Sequence, residues 1–190
     1  GGSANTNIDI TVNDVAPSSI TGVPNAIIET KGTSISPITP TAVGGGPVIS
    51  WEIHPSLPTG LTIDSSTGEI GGTPSVISVF TTYTVYANNT GGSATTTIDI
   101  TVVDVTPSLI DYGTTSLSLT KGSAFSSGIP SSSGGPITSW SVSPILPNGL
   151  SIDVSSGEIS GTPTDITLSG TYTITGSNTG GTDSVTITIE

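Results

Sequence analysis

Two carboxylate pairs invite a chemical reading of this chain. Asp64 and Glu69 share one short stretch, "LPTGLTIDSSTGEIGGTP" (57–74), and Asp153 and Glu158 hold the same places in "LPNGLSIDVSSGEISGTP" (146–163). Glycoside hydrolysis uses such pairs, one carboxyl as acid and the other as base or nucleophile. A reaction needs its pair once, however, and here the pair comes twice inside the same turn-forming residues. Turn duty explains the carboxylates better. Asp64 is placed to accept hydrogen bonds from the Ser-Ser-Thr backbone that follows, and Gly68 supplies a left-handed residue. Leu57, Leu61, Ile63 and Ile70 plug a core while Pro58 and Gly60 bend the chain between them. Pro74, with no N–H to donate, ends the strand. The phrase reads as a compact corner.

Other constellations are weaker. His54 is the sole histidine, and Ser143 stands at its place in the second copy. No Ser or Cys nucleophile motif accompanies it, so it reads as a surface residue. Gly44–Gly46 lack the Lys-Ser/Thr and the helix of a phosphate loop. The chain is therefore expected to have no enzymatic activity. Calcium is the serious alternative to a metal-free chain. "TVNDVAP" (11–17) and "TVVDVTP" (101–107) sit at repeat junctions and offer Asp14 and Asp104 as candidate ligands. Calcium takes about six to eight oxygens, several from carboxylates; the competing role for each Asp is to end a strand and cap the linker. Tyr86 and Tyr112 have no counterparts in the other copy and are the aromatics available to a surface glycan. Asn88 opens an Asn-Asn-Thr glycosylation sequon. Lys31 and Lys121 occupy matching positions before a glycine, which fits either an internal isopeptide bond or an exposed turn.

Composition bounds the partners. The 190 residues carry Lys+Arg 2 against Asp+Glu 14, a formal charge of −12. Nucleic acids and anionic membrane surfaces both require cations, so neither is expected as a partner. No apolar run is long enough to insert in a membrane. Cys 0 and Met 0 leave no thiol or thioether to oxidise, and two basic residues give a trypsin-like protease little to cut. Both traits suit long exposure to harsh surroundings. The start "GGSANTNIDITV" has no Met and matches the inside of a later hairpin, so the chain is expected to be a section of something longer.

The elements that must position these residues come in repeats. The long phrases lie 89 residues apart, as do Trp51 and Trp140, and Tyr83 and Tyr172. "GGSANTNIDITVNDVAPSSI" (1–20) also matches "GGSATTTIDITVVDVTPSLI" (91–110). This predicts the tail of one repeat (1–15), then whole repeats at 16–104 and 105–190. Ile98, Ile100 and Val102 alternate with Thr97, Asp99 and Thr101, the period of a half-buried strand. Tyr83, Val85 and Ala87 share one face of the strand before it. "NTGG" between them supplies an Asn and two Gly for the positive φ of a tight hairpin. Trp51 with Ile49 and Ile53, and Trp140 with Val142, are the expected core anchors. Six to eight short strands per repeat, a buried Trp and no helical period indicate an all-β chain, essentially without helix, of tandem immunoglobulin-like β-sandwiches.

The pattern "LP-x-GL-x-ID", then "GEI-x-GTP", a Tyr-bearing strand, "N-x-GG" and a terminal strand, resembles the putative Ig domain of prokaryotic surface proteins. That family is related to dystroglycan-type cadherin-like domains. Both repeats carry every part, and residues 1–13 carry the last. The resemblance implies a tandem module of long secreted or cell-surface proteins, extracellular and often beside adhesive or enzymatic domains.

Residues 1–13 read as a terminal strand whose Ile8, Ile10 and Val12 face has no sheet of its own. They are expected to finish an upstream repeat or to be donated into a neighbouring subunit. The combined expectation is a structural repeat of an extracellular filament, stalk or adhesin that joins copies of itself end to end as a semi-rigid rod. The alternative is a carbohydrate- or calcium-dependent binding or spacer module of a secreted polysaccharide-active enzyme or adhesin, with surface glycans as partners.

Overall fold

The computed structural model describes residues 1–190; every regular element is a strand and none is a helix. The chain divides into two compact units, Gly1–Val102 and Val103–Glu190.

The first unit contains β1 (Ser19–Thr21), β2 (Ala26–Thr30), β3 (Thr41–Val43), β4 (Ser50–His54), β5 (Leu61–Ile63), β6 (Ile70–Gly72), β7 (Ser78–Asn89) and β8 (Gly92–Val103), the last running one residue past the division. A four-stranded sheet has the order β2-β8-β7-β4, and the pairs β1-β3 and β5-β6 complete the unit. Alternation along β7 and β8 works as the sequence predicts. Tyr83, Val85, Ala87, Ile98, Ile100 and Val102 are buried, while Thr82 and Thr97 are exposed between them. Ile20, Leu61 and Ile70 from the short pairs join Trp51 and Ile53 of β4 in the same core. Ile49 does not: it is 63% exposed. It precedes the strand and donates its N–H to Asn88 O at 2.7 Å, and strand parity fixes a side chain's face only inside the strand.

The second unit contains β9 (Pro107–Asp111), β10 (Ser116–Leu117), β11 (Phe125–Ser126), β12 (Ser131–Gly134), β13 (Ser139–Ser143), β14 (Leu150–Ile152), β15 (Ile159–Gly161), β16 (Gly170–Asn178) and β17 (Gly181–Ile189). These nine strands exceed the expected range, because β11 pairs with β15 where the first unit has only an isolated bridge, Ile38↔Ile70. The main sheet has the order β10-β17-β16-β13, and Trp140, Tyr172, Ile174, Ile187 and Ile189 build its core. Val142 packs half-buried against them.

One edge differs between the units. β1 and β3 pair in unbroken register, whereas β9 and β12 shift register between Ser131 and Ser133. Leu109, beside the shift, has φ 53, a left-handed conformation that strains a branched side chain. The N–H of the next residue, Ile110, donates to Asp183 Oδ2 at 3.1 Å. The first unit has buried Ala94 at the place of Asp183.

Residues 1–18 form no strand. Ile8, Ile10 and Val12 are 78%, 82% and 88% exposed. The predicted terminal strand is thus not formed within this chain, since a lone amphipathic segment has neither ladder partner nor apolar cover.

Candidate functional site

The duplicated corner is built around a tryptophan. In the first unit Asp64 Oδ1 accepts the N–H groups of Ser66 at 2.8 Å and Thr67 at 2.9 Å. Asp64 O accepts from Gly68 N at 2.8 Å, and Ser65 O accepts from Trp51 N at 2.9 Å. Gly68 has φ 78 and lies on the indole: a Cβ there would stand 2.5 Å from Trp51 Cδ2. The second unit repeats this. Asp153 Oδ1 accepts from Ser155 N at 2.8 Å, Ser156 N at 2.9 Å and also Ser155 Oγ at 2.6 Å. Gly157 has φ 77, and its Cβ would meet Trp140 Cε2 at 2.6 Å.

These bonds decide the chemistry of the carboxylates. Hydrogen bonds from the Thr67 and Ser66 backbone hold Asp64 below the usual carboxylate range. The Ser155 hydroxyl, then the Ser156 and Ser155 amides, bring Asp153 down to about 2. A general acid needs the opposite shift. Of the glutamates, Glu158 Oε1 accepts from Ser126 Oγ at 2.6 Å, and Glu69 O accepts from Asp64 N. The two aspartates close the turn of the corner.

A second duplicated device involves residues that the sequence offered separately. Asp14 N donates to Thr90 Oγ1 at 2.9 Å, and that hydroxyl donates to Asp14 Oδ2 at 3.2 Å. Asn89 Nδ2 donates to Val15 O at 2.8 Å while its Oδ1 accepts from Gly91 N at 2.8 Å. The second unit answers bond for bond. Asp104 N donates to Thr179 Oγ1 at 2.9 Å, Thr179 Oγ1 to Asp104 Oδ2 at 3.3 Å, and Asn178 Nδ2 to Val105 O at 2.8 Å. The Asn-Thr-Gly-Gly hairpin thus clasps the linker segment at the start of its own unit. The two glycines divide the work. A Cβ on Gly91 would fall 1.9 Å from Asp14 O, so Gly91 permits close approach; of the two, only Gly92 has positive φ, at 141. Sequence reasoning gave that role to both.

The remaining candidates fall as follows. Asp14 and Asp104 close the clasp, and no three His, Cys, Asp or Glu side chains gather anywhere in the chain. One carboxylate beside one hydroxyl does not fit the oxygen-rich, multi-carboxylate shell that calcium takes. Asn88 Oδ1 accepts from Ser93 Oγ at 2.6 Å, and its sequon partner Thr90 is engaged by Asp14. Tyr112, expected on the surface, is half-buried against the second core and its hydroxyl donates to Gly157 O at 2.5 Å. Burial pushes its pKa up to about 12. An inserted ring that braces the corner is not a sugar platform. His54 is exposed, with Glu52 Oε2 3.7 Å away and the Tyr86 ring edge-on at 5.7 Å. Lys31 and Lys121 are exposed in turns closed by Thr33 N→Thr30 O and Ser123 N→Thr120 O.

The outward faces of the two main sheets contrast. Cross-strand rows on the first include Glu52–Tyr86–Thr95 and His54–Thr84–Thr97, and Thr82 Oγ1 donates to Asp99 Oδ1 at 2.6 Å. On the second they are Ser143–Thr173–Thr186, Ser141–Thr175–Ser184 and Ser139–Ser177–Thr182. Every side chain in those three rows is a hydroxyl.

Comparison with known proteins agrees with this architecture. The family described as Putative Ig domain matches residues 10–103 and again 107–190. A "Serine-rich adhesin for platelets" of Staphylococcus aureus is 36% identical over 164 residues, 85% of this chain and 7% of that protein. The protein of the same name from strain MRSA252 is 35% identical, over 12% of its length. The chain therefore spans a small fraction of these relatives. Among solved structures, the N-terminal four Ig domains of Dscam1 isoform 9.44 superpose with TM-score 0.54 at 15% identity, covering 95% of this chain and 46% of that one. Sidekick-1 immunoglobulin domains 1–4 give 0.51 at 16%, covering 95% and 50%. At such identities the likeness concerns the fold: tandem immunoglobulin-like β-sandwiches.

Proposed function

This chain belongs to the Putative Ig domain family, and on that premise we propose that it serves as a non-enzymatic structural repeat of an extracellular adhesin or stalk. Its repeats are similar to part of a bacterial adhesin, and the role follows from what they are built to do. The observation that carries it is the duplicated clasp. In each unit the leading linker is bonded to a hairpin at the far end of that unit's own sequence, Asp14 to Thr90 and Asp104 to Thr179. A spacer needs its connections held by the repeats, and here the side chains most often suspected of chemistry are used for that holding. The hydroxyl-rich, acidic skin keeps such a spacer in solution.

The partners in this reading are adjacent repeats and further copies, joined end to end. Ile8, Ile10 and Val12 would complete a sheet in a neighbour, as their likeness to Ile98, Ile100 and Val102 suggests. Sedimentation and amide exchange of the chain, with and without residues 1–13, test this. Multimers with protected amides at 8–12, lost on deletion, support end-to-end joining. A monomer in both cases, with those amides exchanging at free-chain rates, contradicts it.

A further inference from the structure

We propose that the outward face of the β10-β17-β16-β13 sheet is a side-to-side docking surface for a second copy of this chain. This contact is independent of end-to-end joining, and charge is its first ground. A protein of formal charge −12 repels its own copies, so close approach favours a surface without carboxylates. Asp183 of β17 points to the interior side, toward Ile110 N. The outward positions beside it are the rows Ser141–Thr175–Ser184 and Ser143–Thr173–Thr186. These six side chains are exposed or half-exposed, and no hydrogen bond within the chain occupies their hydroxyls.

Complementarity is the second ground. A hydroxyl both donates and accepts, whereas a carboxylate only accepts and an ammonium only donates. A lattice of hydroxyls is therefore complementary to itself, which is what a two-fold contact between identical surfaces requires. The threonine methyls between the hydroxyls add apolar contact. The first unit's face is excluded by the same logic, because two copies would bring Glu52 and Asp99 toward their counterparts.

Size sets the strength. Strands about 4.8 Å apart, rising about 3.3 Å per residue, give the face an area of about 400–500 Å² per copy. That lies at or below the range of transient interfaces. A single contact is weak, and repeats arrayed along neighbouring stalks would multiply it through effective concentration.

The test is amide chemical-shift mapping with sedimentation of the full chain, as protein concentration and salt are raised. Salt screens the net repulsion, so association should strengthen with salt, and shifts should concentrate on β13, β16 and β17. Thr173→Glu should weaken association by about tenfold or more, since like charges then meet across the contact. Ser141→Glu on the edge strand, where the fold is least sensitive, should act alike, while Thr84→Glu on the first unit should leave association unchanged. Absence of association at high salt overturns the proposal. So does association that both second-unit variants leave intact, or shifts that map to the exposed apolar side chains Val79 and Phe80 of β7 or to residues 8–12.

Discussion

The two units spell one pattern twice and disagree at one edge. The bonds that close the corner and the clasp in the first unit recur in the second, which adds the Ser155 and Thr106 hydroxyl bonds, and a glycine lies against each indole. At the strand that opens the fold they part: β1 runs straight beside β3, while β9 bulges at Leu109 and hands the Ile110 amide to Asp183. The matched places are those where backbone approaches ring or backbone so closely that no alternative side chain fits. The divergent place is one where the opening strand either bulges and bonds an amide to a carboxylate, or runs straight in a unit that has an alanine there. Repeats keep what geometry forces and vary what hydrogen bonding can settle in two ways.

Exchanging the divergent residue breaks this comparison most sharply. Ala94→Asp would place a carboxylate at a position 6% exposed with no freed amide to receive it, and the first unit should lose about 3–5 kcal/mol by chemical denaturation. The reciprocal Asp183→Ala leaves only the Ile110 N–H unpaired, which should cost the second unit about 1–3 kcal/mol. Equal losses would mean that the straight and bulged edges are interchangeable. Next come Gly68→Ala and Gly157→Ala, which add left-handed strain to a clash with the tryptophan. Each should destabilise its unit by about 2–4 kcal/mol, and the two values should agree because the geometries do. The smallest effect in free energy has the opposite sign. Leu109→Asn tolerates the positive φ and should raise the second unit's stability by roughly 1 kcal/mol, with no parallel gain for Ser19→Asn in the first.

Acid sharpens the same contrast. Both corner aspartates are depressed in the folded state, so their stabilisation is complete above the unfolded value of about 3.9 and fades as pH falls through the folded one. For Asp153 that lies at about 2. The extra Ser155 hydroxyl bond has no counterpart at Asp64, so the second unit's corner should persist further into acid. Amide shifts of Ser66 and Ser155, followed from about pH 5 downward, report the order.

Much of this was legible in the sequence, and the failures share a cause. Alternation placed Tyr83, Val85, Ile98 and Ile100 in the core, and the repeated phrase announced a turn closed by Asp64 and Gly68. These signals are local. The clasp is not: Asp14 and Thr90 stand 76 residues apart, and neither type demands the other. The hint was that "DV" and "NTGG" recur together in both repeats, a pairing that periodicity cannot express. Tyr112 misled for a similar reason, since a residue without a counterpart looks spare until it is found over Gly157. Ile49 obeyed the parity of a strand that had not yet begun. Residues 1–13 have every mark of a strand except the partner that would make them one.

Hydrogen exchange at the linker amides of Asp14 and Asp104 tests the central claim, that these carboxylate-bearing segments fasten each linker to its own unit. Bonded to Thr90 and Thr179, both amides should exchange far more slowly than free chain, and Asn89→Ala and Asn178→Ala should each release the amide in its own unit only. Exchange at free-chain rates in the unaltered protein, or protection that appears only when calcium is added, would contradict the account.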